Sequence, residues 1–437
     1  MNMYNRNDII TEERLSALRE IREKKREERY KKLIPVMGED AVNEVREIYN
    51  MFDERMLIWY AGLWEPEIGG FYFSNSARDH EGFLPDIEST AQAVDFIAEM
   101  CALPGDGMPI TRIPTRFSEK ICNFAYNLQD EDGFFYHPQW GKNITESRRG
   151  RDHGWAWRMI EPLGVECKYI RPTKRVKAEG APPPAFPDYL KSLSAFKEWL
   201  NSKDLKKKSY PFGNLINSTS GQIKAAGPEY VKALIDHLNE HCNPETGLWG
   251  DEVNYDSVNG LMKLGLTYPG FDAALPYPEK SFESARQAVI SKERVTFACQ
   301  FYNAWASVSS ALRSMELVGD MEKAEEYRGR LREHAAQMVR ITGKKIALTA
   351  VGDGSFAYFT ADSGLTCPRA QESPVALSNV REGDINGNGC STKAPLRYMF
   401  AAFGVDMVPM FTEEDAEFLF ELMDARVPVK KKPNPEL

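Results

Sequence analysis

Four short stretches of this chain gather acidic, amide and histidine side chains where helices should begin. They are Asp86 and Glu88; Asp152 and His153; Asp251, Glu252, Tyr255 and Asp256; and Glu382, Asp384, Asn386 and Asn388. Paired carboxylates suit cleavage of a glycosidic bond, where one acid protonates the leaving oxygen and the other attacks or activates water. The expected pair is Asp86 or Glu88 against Asp251 or Glu252, with Asp384 as the replacement. His153 with Tyr255 suits elimination instead, in which a base takes the proton beside a uronate carboxylate and a tyrosine assists the leaving group. Arg148, Arg149 and Arg151 would then clamp that carboxylate. Trp64, Tyr72, Trp140, Trp155, Trp157 and Trp249 offer faces for stacking on sugar rings, while amides such as Asn386 bind hydroxyls. Each acid alone has a plainer use as a helix cap.

The elements that would carry these residues repeat. Gly69-Gly70-Phe71-Tyr72, Gly133-Phe134-Phe135-Tyr136, Gly247-Leu248-Trp249-Gly250 and Gly354-Ser355-Phe356 are glycine-aromatic turns. Taking Gly70, Gly133, Gly247 and Gly354 as markers, the separations are 63, 114 and 107 residues. They read as one, two and two steps of a unit of roughly 57 residues, enough for two helices of ~15 to 20 residues with their loops. Six such hairpins in a ring fit the chain, with the N-termini of the inner helices converging on one funnel. The expected fold is therefore all-α, a single (α/α)6 toroid over residues 39–425. A charged helix within 1–38 precedes it, a frayed Lys/Pro-rich tail from 426 follows it, and a short strand pair covers Lys345–Thr349 and Gly354–Thr360. Residues 39–64 read as one long helix, Lys206–Asn217 as a polar loop, and 293–316 with 320–341 as the clearest hairpin. The proline run Ala181-Pro182-Pro183-Pro184 cannot be helical and marks a long excursion that could act as a lid.

Composition narrows the partners. At 437 residues and 42% hydrophobic the chain can bury a large core, and a net charge of −9 argues against a nucleic-acid partner. Seven scattered cysteines without metal-type spacing read as reduced thiols, with no metal and no cofactor implied. No stretch approaches the apolar length of a membrane span, and the charged segment 12–33 is unlike a signal peptide, so a cytoplasmic protein is expected.

The turns carry a resemblance. Gln129-x-x-x-Gly133-Phe134-Phe135 resembles a degenerate glutamine-tryptophan repeat of squalene-hopene-type cyclases. Gly69-Gly70-Phe71 with Ser89-Thr90-Ala91 resembles the turn and inner helix of protein prenyltransferase β-subunits. Asp86-Ile87-Glu88-Ser89-Thr90-Ala91 is similar to the D-x-D-D-T-A acid motif of class II terpenoid cyclases, departing from it at Glu88 and Ser89. The resemblance implies the α/α-toroid fold, which also houses glycoside hydrolases, polysaccharide lyases and sugar epimerases. The leading expectation is a glycoside hydrolase acting on an oligosaccharide. A lyase or epimerase comes next, then a class II-type terpenoid cyclase, then a non-catalytic binding ring.

Overall fold

The computed structural model describes residues 3–5, 8–175, 186–361, 369–370, 373–378 and 380–436. Helices hold 62% of it and strands 4%, so the all-α expectation stands. The proline run at 181–184 lies outside the described residues.

Six helical segments succeed one another through direct packing. Ile87–Met100 packs on Glu146–Ala156, which packs on Leu205–Ala226; that helix packs on Tyr255–Gly265, which packs on Cys299–Leu317. Cys299–Leu317 meets Ala394–Phe403, and the segment leading into the latter, Ile385–Asn388 with the π-type turn Gly389–Lys393, packs back on Ile87–Met100. Further helices pack alongside, among them Pro278–Ile290 against Cys299–Leu317 and Ala335–Ala347 against Glu39–Tyr49.

The glycine-aromatic turns are what lock neighbours together. Gly69, Gly133, Gly247 and Gly354 all have positive φ, so the turn marker of the first unit is Gly69 rather than Gly70. A Cβ on Gly69 would lie 2.6 Å from the Lys120 carbonyl oxygen, and on Gly247 2.3 Å from the Ser281 nitrogen, each on a helix further along the chain. A Cβ on Gly354 would lie 2.5 Å from Arg55 Cβ, on the early helix Glu54–Leu63. The last turn thus seats against the beginning of the chain. Gly354→Ala is expected to lower the thermal midpoint through a loss of roughly 1–3 kcal/mol. Gly352→Ala, where a Cβ meets open space, should leave the midpoint unchanged; equal midpoints for both variants would remove the turn from this role.

Several elements differ from the sequence expectation. The segment 39–64 is two helices, Glu39–Tyr49 and Glu54–Leu63, because Asp53 caps the second by accepting from the Arg55 amide at 3.0 Å. The expected loop at 206–217 lies inside Leu205–Ala226; Pro211 is accommodated beside non-helical angles at Lys208. The expected helix at 320–341 is broken at His334 into Met321–Arg332 and Ala335–Ala347. Helix Ala335–Ala347 also takes up most of the first expected strand, leaving only the isolated bridge Ala350 to Phe356. The two-stranded pairs that form are Trp64–Glu65 with Gly70–Phe71 and Arg369–Ala370 with Ser373–Pro374.

Both ends of the chain are tied to the body. The charged helix Glu12–Met37 buries a stripe of Leu18, Arg22, Arg26, Tyr30, Leu33 and Met37. Arg22 is paired with Asp415 at 2.7 Å and Glu54 at 3.4 Å, so the helix is more than a solvated surface. The tail is fastened too: the Lys432 amide donates to the Asp79 carbonyl at 2.7 Å, and the Arg426 guanidinium to the Gly62 carbonyl at 3.0 Å. Among the described residues, no helix is long and apolar enough to cross a membrane.

Candidate functional site

Two of the acids expected to act on substrate, Asp86 and Asp384, are the groups that start helices. Asp86 is fully buried and caps Ile87–Met100, accepting from the Ser89 amide at 3.0 Å and the Ser89 hydroxyl at 2.5 Å. Asp384 is fully buried and caps Ile385–Asn388 in the same way, accepting from the amides of Gly387 at 2.6 Å and Tyr358 at 3.0 Å. Thr145, Asp204 and Asn254 do the same for Glu146–Ala156, Leu205–Ala226 and Tyr255–Gly265. An unfilled helix start leaves orphan amides, and a short acidic or hydroxyl side chain satisfies them.

Behind these caps lies a buried charge cluster. Arg148, with no exposure, pairs with Asp152 at 2.9 Å, Asp86 at 3.4 Å and Glu88 at 3.5 Å. Arg151 also pairs with Glu88, which in addition accepts from Gln92 at 2.8 Å. Burial raises the Glu88 carboxyl, but Arg151 and Arg148 outweigh it and hold the group below the usual range, hence ionised. Three carboxylates against two guanidiniums leave one negative charge too many. Asp152 takes the proton: burial pushes it up to about 7, with Arg148 pulling down and Asp86 and Glu88 pushing further up.

That proton gives a testable pH dependence. An unfolded aspartate loses its proton near about 3.9, so between there and about 7 the folded chain keeps a proton the unfolded chain has released. The stability it brings is complete at the acid end of the window and is lost as pH rises through it. Thermal midpoints of Asp152→Asn and the wild type should therefore diverge toward neutral pH, with the wild type falling relative to the variant. Parallel curves would contradict the assignment.

Arg151 of this cluster lines the larger of two cavities. The larger, of about 880 Å³, is lined along Ile87–Met100 by Gln92, Asp95 and Glu99, and from other helices by Asn214, Asn217 and Lys263. Arg151, His153, Trp155 and Trp157 form another wall, and Asn386, Cys390, Lys393 and Tyr302 close it. The smaller, of about 500 Å³, holds Asp251, Glu252 and Asp256 with Lys206 and Tyr210. The smaller cavity takes the N-terminal ends of Leu205–Ala226 and Tyr255–Gly265, and the larger takes their later turns. The expectation that the polar helix starts share one mouth is corrected accordingly.

Of the sequence-expected residues, Arg151, His153, Trp155, Trp157 and Asn386 come together in the larger cavity. Asp251 and Glu252 are exposed in the smaller one, Asp251 paired with Lys206 at 2.9 Å. Tyr255 is buried, its hydroxyl 3.5 Å from the Ser291 carbonyl and its ring under Lys345. Trp64 packs edge-on against Phe117, and Trp249 donates to the Leu238 carbonyl at 2.9 Å; both are core residues. Tyr72 is buried with its hydroxyl 3.3 Å from Glu65, and Trp140 stacks on His137 beneath the Arg148 guanidinium. These four aromatics support the walls and do not line the larger cavity.

The cavity is basic although the chain is acidic. Arg151, Arg158, Arg171, Lys263, Lys393 and Arg397 line it with Asp95 and Glu99, and behind the wall Glu88 pairs with Arg151 and Glu161 with Arg171, so six cations stand against four acids. Asp95 lies 3.7 Å from Arg158, and Glu99 lies 3.3 Å from Lys393 and 3.5 Å from Arg397. Burial lifts the Asp95 carboxyl above its ordinary range, Lys393 and Arg158 opposing and Glu99 adding to the rise. Lys263 sits with its ammonium over the Tyr210 ring at 5.6 Å. Burial lowers its proton affinity, nearby Arg151 lowers it further, and Cys299, Cys390 and Glu88 act the other way. His153, 5% exposed between Phe134 and Phe135, has neither ring nitrogen hydrogen-bonded. Burial, then Arg171, pushes its pKa down to about 3, so the imidazole is neutral.

Asp95, Glu99, Lys263, Asn214, Asn217, Lys393 and Arg397 were not singled out in the sequence. Their signal was polar residues three or four apart inside otherwise apolar helices: Gln92, Asp95, Glu99; Asn214, Asn217, Ser218; Lys393, Arg397. Among the described residues, no group of three or more His, Cys, Asp or Glu side chains could hold a metal ion. Compared with family models, curated proteins and solved structures, the chain matches none.

Proposed function

We propose that this chain is a carbohydrate-active enzyme on a closed ring of helix pairs, the α/α toroid, and that it cleaves an acidic oligosaccharide by elimination in the larger cavity. The ring reading is supported by the packing circuit that returns from 385–393 to Ile87–Met100 and by the seating of Gly354 on Arg55. The observation that carries the chemistry is Lys263, a buried amine of lowered proton affinity in a cavity where cations outnumber acids. Such a lysine is a proton acceptor closer to neutral pH than an ordinary one.

In this reading a uronate carboxylate lies against Arg151 with Asn214 and Asn217 alongside, which stabilises charge that builds on it as the adjacent carbon is deprotonated. Lys263 takes that proton, the electron pair forms a carbon-carbon double bond, and the bond to the leaving oxygen breaks. Tyr302, on the same wall, supplies the proton to that oxygen. Trp155 and Trp157 provide faces for neighbouring sugar rings. His153, neutral and with both ring nitrogens buried and unpartnered, backs this wall.

Hydrolysis is the second reading, favoured by Asp95, whose raised proton affinity suits a general acid beside Glu99. A terpenoid cyclase is not supported, since Asp86 is an Arg148-paired cap and the cavity walls are charged. Incubation with uronate-containing and neutral oligosaccharides separates the two carbohydrate reactions. Elimination yields new ends together with the ultraviolet absorbance of a conjugated double bond; new reducing ends without it indicate hydrolysis. No new ends from either class would reduce the chain to a binding ring.

A further inference from the structure

Helices Leu205–Ala226 and Tyr255–Gly265 lie side by side in register: a Cβ on Gly260 would stand 2.0 Å from Ser209 Oγ, and one on Gly213 2.6 Å from Lys263 Cβ. Each helix reaches both cavities. Tyr210 and Asn259 line the smaller, and Asn214 and Lys263, four residues further along, line the larger. Four residues make about one helical turn, a rise of ~6 Å, so along this face the cavities follow each other at a spacing comparable to one sugar unit of a chain. The Lys263 ammonium, over the Tyr210 ring at 5.6 Å, marks the step between them. Nothing in the elimination scheme uses the smaller cavity.

The smaller cavity is built differently from the larger. Ser209 is 5% exposed and Asn259 3%, and both line it. Asn259 Oδ1 accepts from Asn303 Nδ2 at 2.9 Å, which leaves its own Nδ2 to donate elsewhere. Among the described residues neither that nitrogen nor the Ser209 hydroxyl has a hydrogen-bond partner, and neither atom is shut off from the cavity. Buried polar groups of this kind are satisfied by water or by a ligand. Asp251, Glu252 and Asp256 line the same space with Lys206 and Lys207, so here the acids outnumber the cations. A second carboxylate is unwelcome in it. Hydroxyls are not: the carboxylates and the Ser209 oxygen accept from them, Asn259 donates to them, and Phe297 adds an aromatic surface against a ring.

We propose that the smaller cavity is the subsite for an uncharged sugar that adjoins the uronate, so that the substrate is a mixed chain of neutral sugars and uronates and not a run of uronates. Such a subsite presupposes the uronate reading of the larger cavity and names the neighbour which that reading leaves open. The oligosaccharide lies along the shared face of the two helices, its carboxylate in the basic cavity and its neutral ring one turn nearer the helix starts, with hydroxyls on Ser209 and Asn259. The exposed acids of this subsite repel a second carboxylate and admit an uncharged ring. A wholly neutral oligosaccharide gains nothing from the cations of the larger cavity, so its affinity is low.

Calorimetric titration of the full chain tests this with three oligosaccharides of equal length: one alternating uronate with neutral sugar, one of uronate only, and one neutral throughout. The alternating ligand should bind at least about fivefold more tightly than the uronate-only one, the margin of one repelled carboxylate and the hydrogen bonds lost with it. The neutral ligand should not bind measurably. Ser209→Ala removes a single hydroxyl and should weaken the alternating ligand about three- to tenfold while leaving the uronate-only ligand as in the wild type. The wild-type comparison needs no variant and stands even if Ser209→Ala folds poorly. Equal wild-type affinities for the alternating and uronate-only ligands, or a Ser209→Ala loss shared equally by both, would overturn the subsite and leave the uronate reading standing. Neutral binding as tight as that of the alternating ligand, or no binding at all, would overturn both.

Discussion

Replacing Arg148 by methionine is expected to destabilise the fold by about 3–5 kcal/mol or more, the loss typical when one member of a buried ion cluster is removed. The guanidinium has no exposure and answers three carboxylates at once, from Asp86, Glu88 and Asp152. Methionine fills the volume and keeps none of the charge, so these acids would face each other with only Arg151 to offset them. The loss also reaches the helix start, because Asp86 is both a partner of Arg148 and the cap of Ile87–Met100. A guanidinium-chloride or thermal unfolding curve reads the change. An unfolding midpoint equal to the wild type's would mean the cluster holds nothing in place.

Lys263→Met is expected to act in the opposite sense, sparing the fold and abolishing turnover. The side chain sits over the Tyr210 ring in a place where burial disfavours its charge, so methionine should fold at least as stably. Removing a general base lowers rate by about 10²- to 10⁴-fold, and the loss should fall on kcat more than on KM. Wild-type turnover should rise with pH toward a limit reached below the range of an ordinary lysine, because proton affinity at this site is lowered. A variant that retains its rate would remove Lys263 from the chemistry.

The scaffold was legible where periodicity and turn chemistry agree. The glycine-aromatic turns at 133, 247 and 354 stand where the sequence put them, since a positive φ beside a neighbouring backbone admits little but glycine. Helix Pro228–His241 has limits of the same legible kind, because a proline start follows Gly227 and Cys242 leaves helical angles. Leu205–Ala226 was hidden because Pro211 and Gly213 look like breakers, yet proline fits where the helix is already kinked.

The site was legible only in part, and for a reason that generalises. Acids at helix starts announce themselves in a sequence because capping places them there, so Asp86 and Asp384 stood out for a structural role. Residues that face a cavity from the middle of a helix, such as Asp95 and Lys263, are separated along the chain and converge only when the helices pack. Arg151 and His153 were found because their stretch is polar as a whole.

The central claim is that the larger cavity binds an acidic sugar through its excess of cations. Calorimetric titration of the full chain with a uronate oligosaccharide and with a neutral one of equal length tests it directly. Binding of the acidic ligand alone, weakened by added salt, is the predicted result. Equal binding of both ligands, indifferent to salt, would contradict it.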